Sequence, residues 1–510
     1  MRYDTKNEIS LEPDGHSPAG GTAARRRTMA FLTAAAVRET LPGRSVYAGL
    51  SLDDVLYFTF TRGPKPGDDE IDRLKAAMLR WIERDAEIHS RMMDYREAAD
   101  YFEKNGQSDT ARLIRQRGKA AVKVNRLDDF IGLYASPLLP RAGALPLFDI
   151  LPHHNGFLLR FLPGYGGKKD RNERETEEFI KKPKIFSAYE EYKKWRRITG
   201  VRSAWHINRM IDEGTIADFI RINEAFHEKN LSKIADEIHD RRKDVKLVLI
   251  AGPSSSSKTT TAKRLSIYLK VRGIDTTVIS LDDYYLHPDK VPKDENGQPD
   301  FECLEALDVD CLNRQLLELF DGKEITLPVF DFKTQTREAG RTIRLGNRRE
   351  ALIIEGIHGL NDALTPQIAS ENKFKIYVSV LAQIAVDSLN RVSARDNRLL
   401  RRIVRDNQFR GASASRTLAT WDSVQRGAEK HIFRFENSAD AVFNSALDYE
   451  LPVLKFCAEH LLRGIEPDAP EYGEARRLLD MLDNFNVLQP QAVPGFSILR
   501  EFIGGGDFKY

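Results

Sequence analysis

The pattern that most narrows what this chain can fold into lies at residues 246–259. A short apolar run, Lys246–Ala251 (KLVLIA), leads directly into Gly252-Pro253-Ser254-Ser255-Ser256-Ser257-Lys258-Thr259, and helix-forming sequence follows at once. The loop matches G-x-x-x-x-G-K-[ST] at every fixed position but one, with Ser257 standing where the second glycine belongs. Such a loop turns successive backbone N–H groups inward beside a helix N-terminus, which is where phosphate oxygens are bound. Gly252 through Thr260 are therefore candidate nucleotide-binding residues; Lys258 would reach the β- and γ-phosphates, and the Thr259 hydroxyl would be a Mg²⁺ ligand. If position 257 requires φ > 0, serine adopts it at a cost that glycine avoids.

The sequence beyond residue 245 alternates short β-branched runs with helical stretches. Lys246–Ala251, Thr276–Ser280, Leu352–Glu355 and Lys375–Val380 suit strands buried on both faces, joined by right-handed crossovers in a parallel sheet. Two acids follow such strands. Asp282, in Ser280-Leu-Asp282-Asp283-Tyr284-Tyr285, is placed to accept a proton from an attacking hydroxyl, and Glu355 could hold Mg²⁺, directly or through water. Arg391, Arg395, Arg398, Arg402 and Arg405 are spaced 4, 3, 4 and 3 apart and share one helical face, with Arg401 and Arg410 nearby. Like charges on one face repel unless an anion sits there, and guanidinium groups bond phosphate bidentately, so a lid over a triphosphate is expected.

The chain has 510 residues, enough for several domains. Residues 1–27 read as a disordered tail. Residues 28–165 read as α+β, with a helix at 28–41, paired strands at 46–61, an amphipathic helix at 69–88 and strand-like runs near 120–135 and 147–162. Residues 166–240 form a linker and helical connector, 241–455 the phosphate-binding unit and 456–510 a helical extension. Lys+Arg 78 against Asp+Glu 76 leaves a net charge of +2, which disfavours extended nucleic-acid contact without forbidding a local one. The three cysteines form no CxxC pair, and no apolar run approaches the roughly 18 residues needed to span a bilayer. A cytoplasmic protein with no membrane partner is expected, and a homo-oligomer is allowed.

With these motifs in this order, residues 245–450 resemble the uridine kinase and phosphoribulokinase family of P-loop kinases. The resemblance implies a P-loop NTPase sheet flanked by helices, Mg²⁺ with ATP or GTP, and a small-molecule acceptor. It implies that Asp282 is the catalytic base, that Lys258, Arg398 and Arg402 act on the transferring phosphoryl group, and that Arg398 and Arg401 or Arg402 are lid arginines. The segment Asp300–Asp308 resembles the part that binds sugar hydroxyls, with Glu302 where an aspartate is usual. Pro328–Gln335 resembles the later substrate loop, with Phe330 and Gln335 where the uridine kinases carry Tyr and His. Tyr285, Glu302, Phe330, Phe332, Arg398 and Arg401 are thus implied on the acceptor side, beside Asp282. Ala439–Asn444 resembles the late strand beside the adenine pocket.

Residues 28–162 are similar to the second, editing-type domain of threonyl-tRNA synthetase. Arg27, Phe31, Tyr134 and Leu138 stand where those enzymes carry His and Cys, so no hydrolytic or metal site is implied, and His153-His154 reads as a loop feature. This layout, with the ending Ser497–Gly504, also resembles a group of bacterial proteins described as uridine kinase-like, in which a small ubiquitin-like domain often comes first. The expected activity is phosphoryl transfer to a nucleoside hydroxyl. The alternatives are a nucleotide-binding regulatory or RNA-associated protein and a kinase of a non-nucleoside sugar or phosphosugar.

Overall fold

The structure, a computed structural model, describes residues 22–52, 55–60, 63–134, 136–161, 183–293, 297–331, 334–346, 350–381 and 383–509. The first unit contains α1 (Thr22–Thr40), β1 (Val46–Leu52), β2 (Val55–Phe60), α2 (Asp68–Glu83), β3 (His89–Asp94), α3 (Tyr95–Lys104), α4 (Ser108–Gln116), β4 (Ala121–Leu127), β5 (Phe130–Leu133), β6 (Phe148–His153) and β7 (Gly156–Phe161). Two antiparallel sheets form, in the orders β1-β2-β7-β6 and β3-β4-β5. Helix α2 shows why the elements form where they do. Asp68, Asp69 and Glu70 complement the positive end of its dipole, and Ile71, Leu74, Met78 and Trp81 make one buried face. That face meets Phe31 and Val37 of α1 and Phe58 and Phe157 of the larger sheet.

Two boundaries differ from the sequence reading. α1 starts at Thr22, so the last six residues of the expected tail are helical, and Met29, Phe31 and Leu32 are buried. The other expected tail residues and residues 166–182, where the linker and connector begin, lie outside the described residues. The connector is three helices, α5 (Pro183–Thr199), α6 (Ala204–Asp212) and α7 (Ile216–Asp240). The sequence pattern predicts an apolar face on α7 made by Ile216, Phe219, Ile220, Ala225, Phe226, Leu231, Ile234 and Ile238, but Ala225 is exposed and Phe226 only half-buried. Asn223, Glu224 and His227 are buried in their place, which is accounted for below.

The remaining elements are β8 (Leu247–Ala251), α8 (Lys258–Val271), β9 (Asp275–Ser280), α9 (Val309–Phe320), β10 (Ile325–Asp331), β11 (Thr336–Ile343), β12 (Glu350–Glu355), β13 (Lys373–Ser379), α10 (Ala394–Arg410), α11 (Ala414–His431), β14 (Ala441–Asn444), α12 (Glu450–Arg463), α13 (Tyr472–Leu482) and α14 (Arg500–Ile503). Five strands make a parallel sheet in the order β14-β13-β8-β12-β9, and β10-β11 is a separate antiparallel hairpin. The continuous apolar runs are explained by cover on both faces. Val248, Ile250, Ile353 and Ile376 point into a core beneath α7 and α8, while Leu247, Leu249, Leu352 and Ile354 point into another beneath α9.

The expected boundary at 455 falls inside α12, and α12 to α14 share one core with α6, α10 and α11. The two halves also interlock. Leu389 of the segment before α10 enters the first unit's core, the Ala48 N–H donates to Ser388 O (2.9 Å), and Asn390 Nδ2 donates to Leu133 O (2.5 Å). No helix among the described residues is long and apolar enough to cross a membrane.

Candidate active site

The parallel strands aim their C-terminal ends at one crevice, the usual ligand position in such sheets. The loop after β8 fills it. Gly252 is required there, because a Cβ would lie 1.9 Å from Val378 O. Ser255 and Ser257 hold φ of 60° and 71°, the left-handed region. Position 257 therefore does demand the geometry that glycine adopts freely, and serine adopts it with strain. Lys258 Nζ lies 3.4 Å from Pro253 O, folded back over the loop.

Glu355 at the end of β12 and Ser280 at the end of β9 are register partners. Glu355 Oε1 accepts from Thr259 Oγ1 and from Ser280 Oγ, each at 2.9 Å. Burial, reinforced by the charge of Asp282, pushes this carboxyl up to about 7. A carboxyl oxygen grouped with the Thr259 and Ser280 hydroxyls offers the hard oxygen ligands that Mg²⁺ takes, and the cation would offset the burial that opposes ionisation, so the residues present fit that ion.

Asp282 is the second residue of the turn after β9, with its N–H donating to Ser280 Oγ at 3.3 Å. Its charge is felt by Glu355, Glu302, Tyr285 and Arg410. Glu302 is half-buried, and one of its carboxyl oxygens, itself buried, lacks a hydrogen-bond partner among the described residues. It backs onto Gly427 of α11, where a Cβ would meet the Glu302 Cβ at 2.4 Å. Burial pushes Glu302 up to about 7 against the pull of Arg402, Lys258 and Arg398. The Tyr285 ring lies 5.8 Å from Phe330 and 5.9 Å from Phe301, forming an aromatic wall beside these acids. Asp283 Oδ1 accepts the Phe330 N–H at 3.3 Å and ties that wall to the turn after β9. Phe332 lies outside the described residues.

The arginine stripe divides into different tasks. Arg398 Nε donates to Ser254 O (2.9 Å) and Arg402 Nη1 to Ser254 Oγ (2.8 Å), so both reach the phosphate loop. Arg398 also lies over the Trp421 ring at 5.3 Å, and burial pushes it down to about 10. Arg395 pairs with Asp422, Arg405 with Asp406, and Arg391 precedes the helix. Carboxylates therefore relieve much of the repulsion assigned to a bound anion.

Arg401 departs furthest from its expected place on the acceptor side. It is fully buried and bonded to Glu450, which is equally buried, at 2.7 Å. The remaining donors of Arg401 reach Ser255 O (3.4 Å), Ser257 Oγ (3.3 Å) and Ser445 O (2.8 Å). It thus clamps the two left-handed serines from behind.

The polar stripe on α7 continues this scaffold. Glu224 accepts from Tyr449 Oη (2.6 Å) and pairs with Arg264 (3.4 Å), Asn223 Oδ1 accepts the Asp448 N–H (3.1 Å), and His227 Nε2 lies 2.9 Å from Ala446 O. Glu450, Ser280 and Trp421 were not identified from sequence. A charged residue opening the apolar run Glu450-Leu-Pro-Val-Leu was the available signal for the first.

In the first unit, Phe31 and Tyr134 meet edge to face at 5.7 Å, Phe130 lies 5.1 Å from Phe31, and Arg27 donates twice to Pro137 O. The His153 ring packs against Tyr57 and Phe186, each at 5.5 Å. No group of three His, Cys, Asp or Glu residues that could hold a metal occurs among the described residues.

This crevice, with its phosphate loop, strand-end acids and arginines, defines a P-loop kinase. Residues 247–451 match the phosphoribulokinase / uridine kinase family. The uridine kinase of Brevibacillus brevis (strain 47 / JCM 6285 / NBRC 100599) is 31% identical over 180 residues, 35% of this chain and 75% of that protein. The uridine kinase of Ureaplasma urealyticum serovar 10 is 28% identical over 178 residues, 35% of this chain and 77% of that protein. Among solved structures, D-glycerate 3-kinase from Cryptococcus neoformans var. grubii shares 16% identity with a TM-score of 0.23, covering 56% of this chain and 90% of that one. The chain belongs to the phosphoribulokinase / uridine kinase family and is a kinase.

Proposed function

We propose that the chain transfers a phosphoryl group from ATP or GTP to a hydroxyl of a uridine- or cytidine-like nucleoside. The observation that carries this is the convergence of Asp282, Glu302 and the Tyr285–Phe330 wall beside the phosphate loop. Asp282 takes the acceptor's proton. Glu302 binds sugar hydroxyls, and the aromatic wall orients a flat base. Lys258, Arg398 and Arg402 stabilise the charge on the transferring group, which supplies most of the catalysis in this chemistry. Thr259 and Glu355 would hold Mg²⁺, which when bound neutralises the phosphate oxygens. The first unit acts as a scaffold that grips the segment leading into α10, consistent with a synthetase-like domain without hydrolytic residues.

Turnover of Mg·ATP and Mg·GTP against nucleosides, ribulose 5-phosphate and pantothenate, with products read by mass, tests this. Phosphorylated uridine or cytidine supports the reading. Product from another acceptor reassigns the substrate, and Glu302 in place of the usual aspartate favours that second reading, a kinase of a non-nucleoside sugar or phosphosugar. A nucleotide-binding regulatory or RNA-associated role is favoured by the strained Ser257. It predicts bound nucleotide without product.

A further inference from the structure

Thr260 follows the Lys258-Thr259 pair, and its N–H is one of the donors at the head of α8 that a bound nucleotide needs for the phosphate nearest the nucleoside. In this structure that N–H donates to Glu501 Oε2 at 3.1 Å, and the Thr260 hydroxyl donates to the same oxygen at 2.6 Å. Glu501 belongs to α14, 241 residues further along the chain. A carboxylate oxygen holding two donors at a helix N-terminus is an anion in an anion site. We infer that the C-terminal segment is a built-in competitor of the nucleotide: Glu501 occupies the α-phosphate position, and nucleotide binds there only as Glu501 withdraws. The inference rests on the nucleotide-binding reading of the phosphate loop.

The segment that carries Glu501 ties two helices of the site together. α14 has four residues, too few for its own backbone bonds to hold it, and it is anchored by Ile498, Leu499 and Phe502, all fully buried. The Phe502 ring lies 5.1 Å from the Arg401 guanidinium carbon, so α14 rests on α10, the helix that also carries Arg398 and Arg402. Beyond it, Gly504 and Gly505 at φ of 74° and 65° form a joint, and the Lys509 carbonyl accepts from the Lys263 ammonium of α8. The segment thus bridges the arginine helix and the phosphate-loop helix. Phosphate can replace the carboxylate on both Thr260 donors, but the two anions repel and cannot share them.

Equilibrium binding of N-methylanthraniloyl-ATP and -ADP with Mg²⁺ to the full chain, wild type against E501A and E501Q, tests this. E501A is expected to bind about tenfold more tightly, ~1.4 kcal/mol. E501Q falls between, because the amide oxygen still accepts but carries no charge. Equal or weaker binding by E501A, with unchanged thermal unfolding, overturns the inference and leaves the kinase reading standing. No binding by any of the three proteins overturns the nucleotide reading and the inference together. In wild-type protein, saturating Mg·ATP should speed hydrogen exchange in residues 494–509; unchanged exchange with nucleotide bound also overturns the inference.

Discussion

In the first unit, Arg27, Phe31, Tyr134 and Leu138 come together as packing: rings edge to face, a guanidinium spent on the Pro137 carbonyl, and one tyrosine hydroxyl left over. In the kinase unit, Asp282, Glu302, Glu355, Lys258, Arg398 and Arg402 converge as charges, and atoms of Glu302 and Arg398 lack hydrogen-bond partners among the described residues. Burying a polar atom unpaired costs free energy, and a charge costs more. One orphan hydroxyl amid rings is tolerable in a packed core. A convergent set of charged groups that leaves buried polar atoms unpartnered persists where a ligand completes it. The difference lies in number and convergence, not in the mere presence of an unpartnered atom.

The sharpest way to break this comparison is at Asp282. Asp282→Asn keeps the side-chain shape and removes the base, so kcat should fall about 10²–10⁴-fold with nucleotide affinity nearly unchanged. Steady-state kinetics beside nucleotide titration decides it, and loss of nucleotide binding in folded protein would argue against the role. Next is Glu450. Glu450→Ala strands the buried Arg401 charge and should cost about 3–5 kcal/mol in denaturant unfolding while loosening the clamp on Ser255 and Ser257. A loss below 1 kcal/mol would mean that the pair is not the clamp's foundation.

Legibility followed the same divide. The phosphate loop and four of the five parallel strands are readable because a strand in such a sheet writes a short apolar run, and the loop's chemistry fixes its residue types at fixed spacing; the fifth, β14, enters only through the family resemblance of Ala439–Asn444. The left-handed conformation at Ser257 was anticipated from the glycine it replaces. The fates of individual arginines were not readable. Helical spacing puts Arg398, Arg401 and Arg402 close together, but whether a guanidinium meets Ser254 or Glu450 depends on residues 49 to 148 positions away. α3, α4 and the β10-β11 hairpin were also missed. The first two are short, and β11 is largely exposed, so no strong burial period marks it.

A smaller effect concerns acidity. Glu302 and Glu355 are both held near 7 by burial, above an ordinary glutamate. Between about pH 4.5 and 7 the folded state therefore binds more protons than the unfolded chain, and stability falls as pH rises through that window. Thermal unfolding without Mg²⁺ from pH 5 to 8 should show this slope, on the order of 2–3 kcal/mol for each group. Glu302→Gln, neutral throughout, should flatten part of it. An identical slope in the variant would show that Glu302 titrates normally. In the first unit, by contrast, Asp85, Asp128 and Asp149 are shifted down by their partners.

The smallest effect completes the contrast. Tyr134 is buried, and its hydroxyl has no hydrogen-bond partner among the described residues. If the position is packing alone, Tyr134→Phe removes a desolvated hydroxyl and keeps the ring against Phe31. Unfolding free energy should then stay the same or rise by up to about 1 kcal/mol, with turnover unchanged. Should the same variant lower kcat or KM, the hydroxyl would have a use in the working protein. The first unit would then contribute chemistry to the site, and the line drawn here between packed and convergent polar groups would have to move.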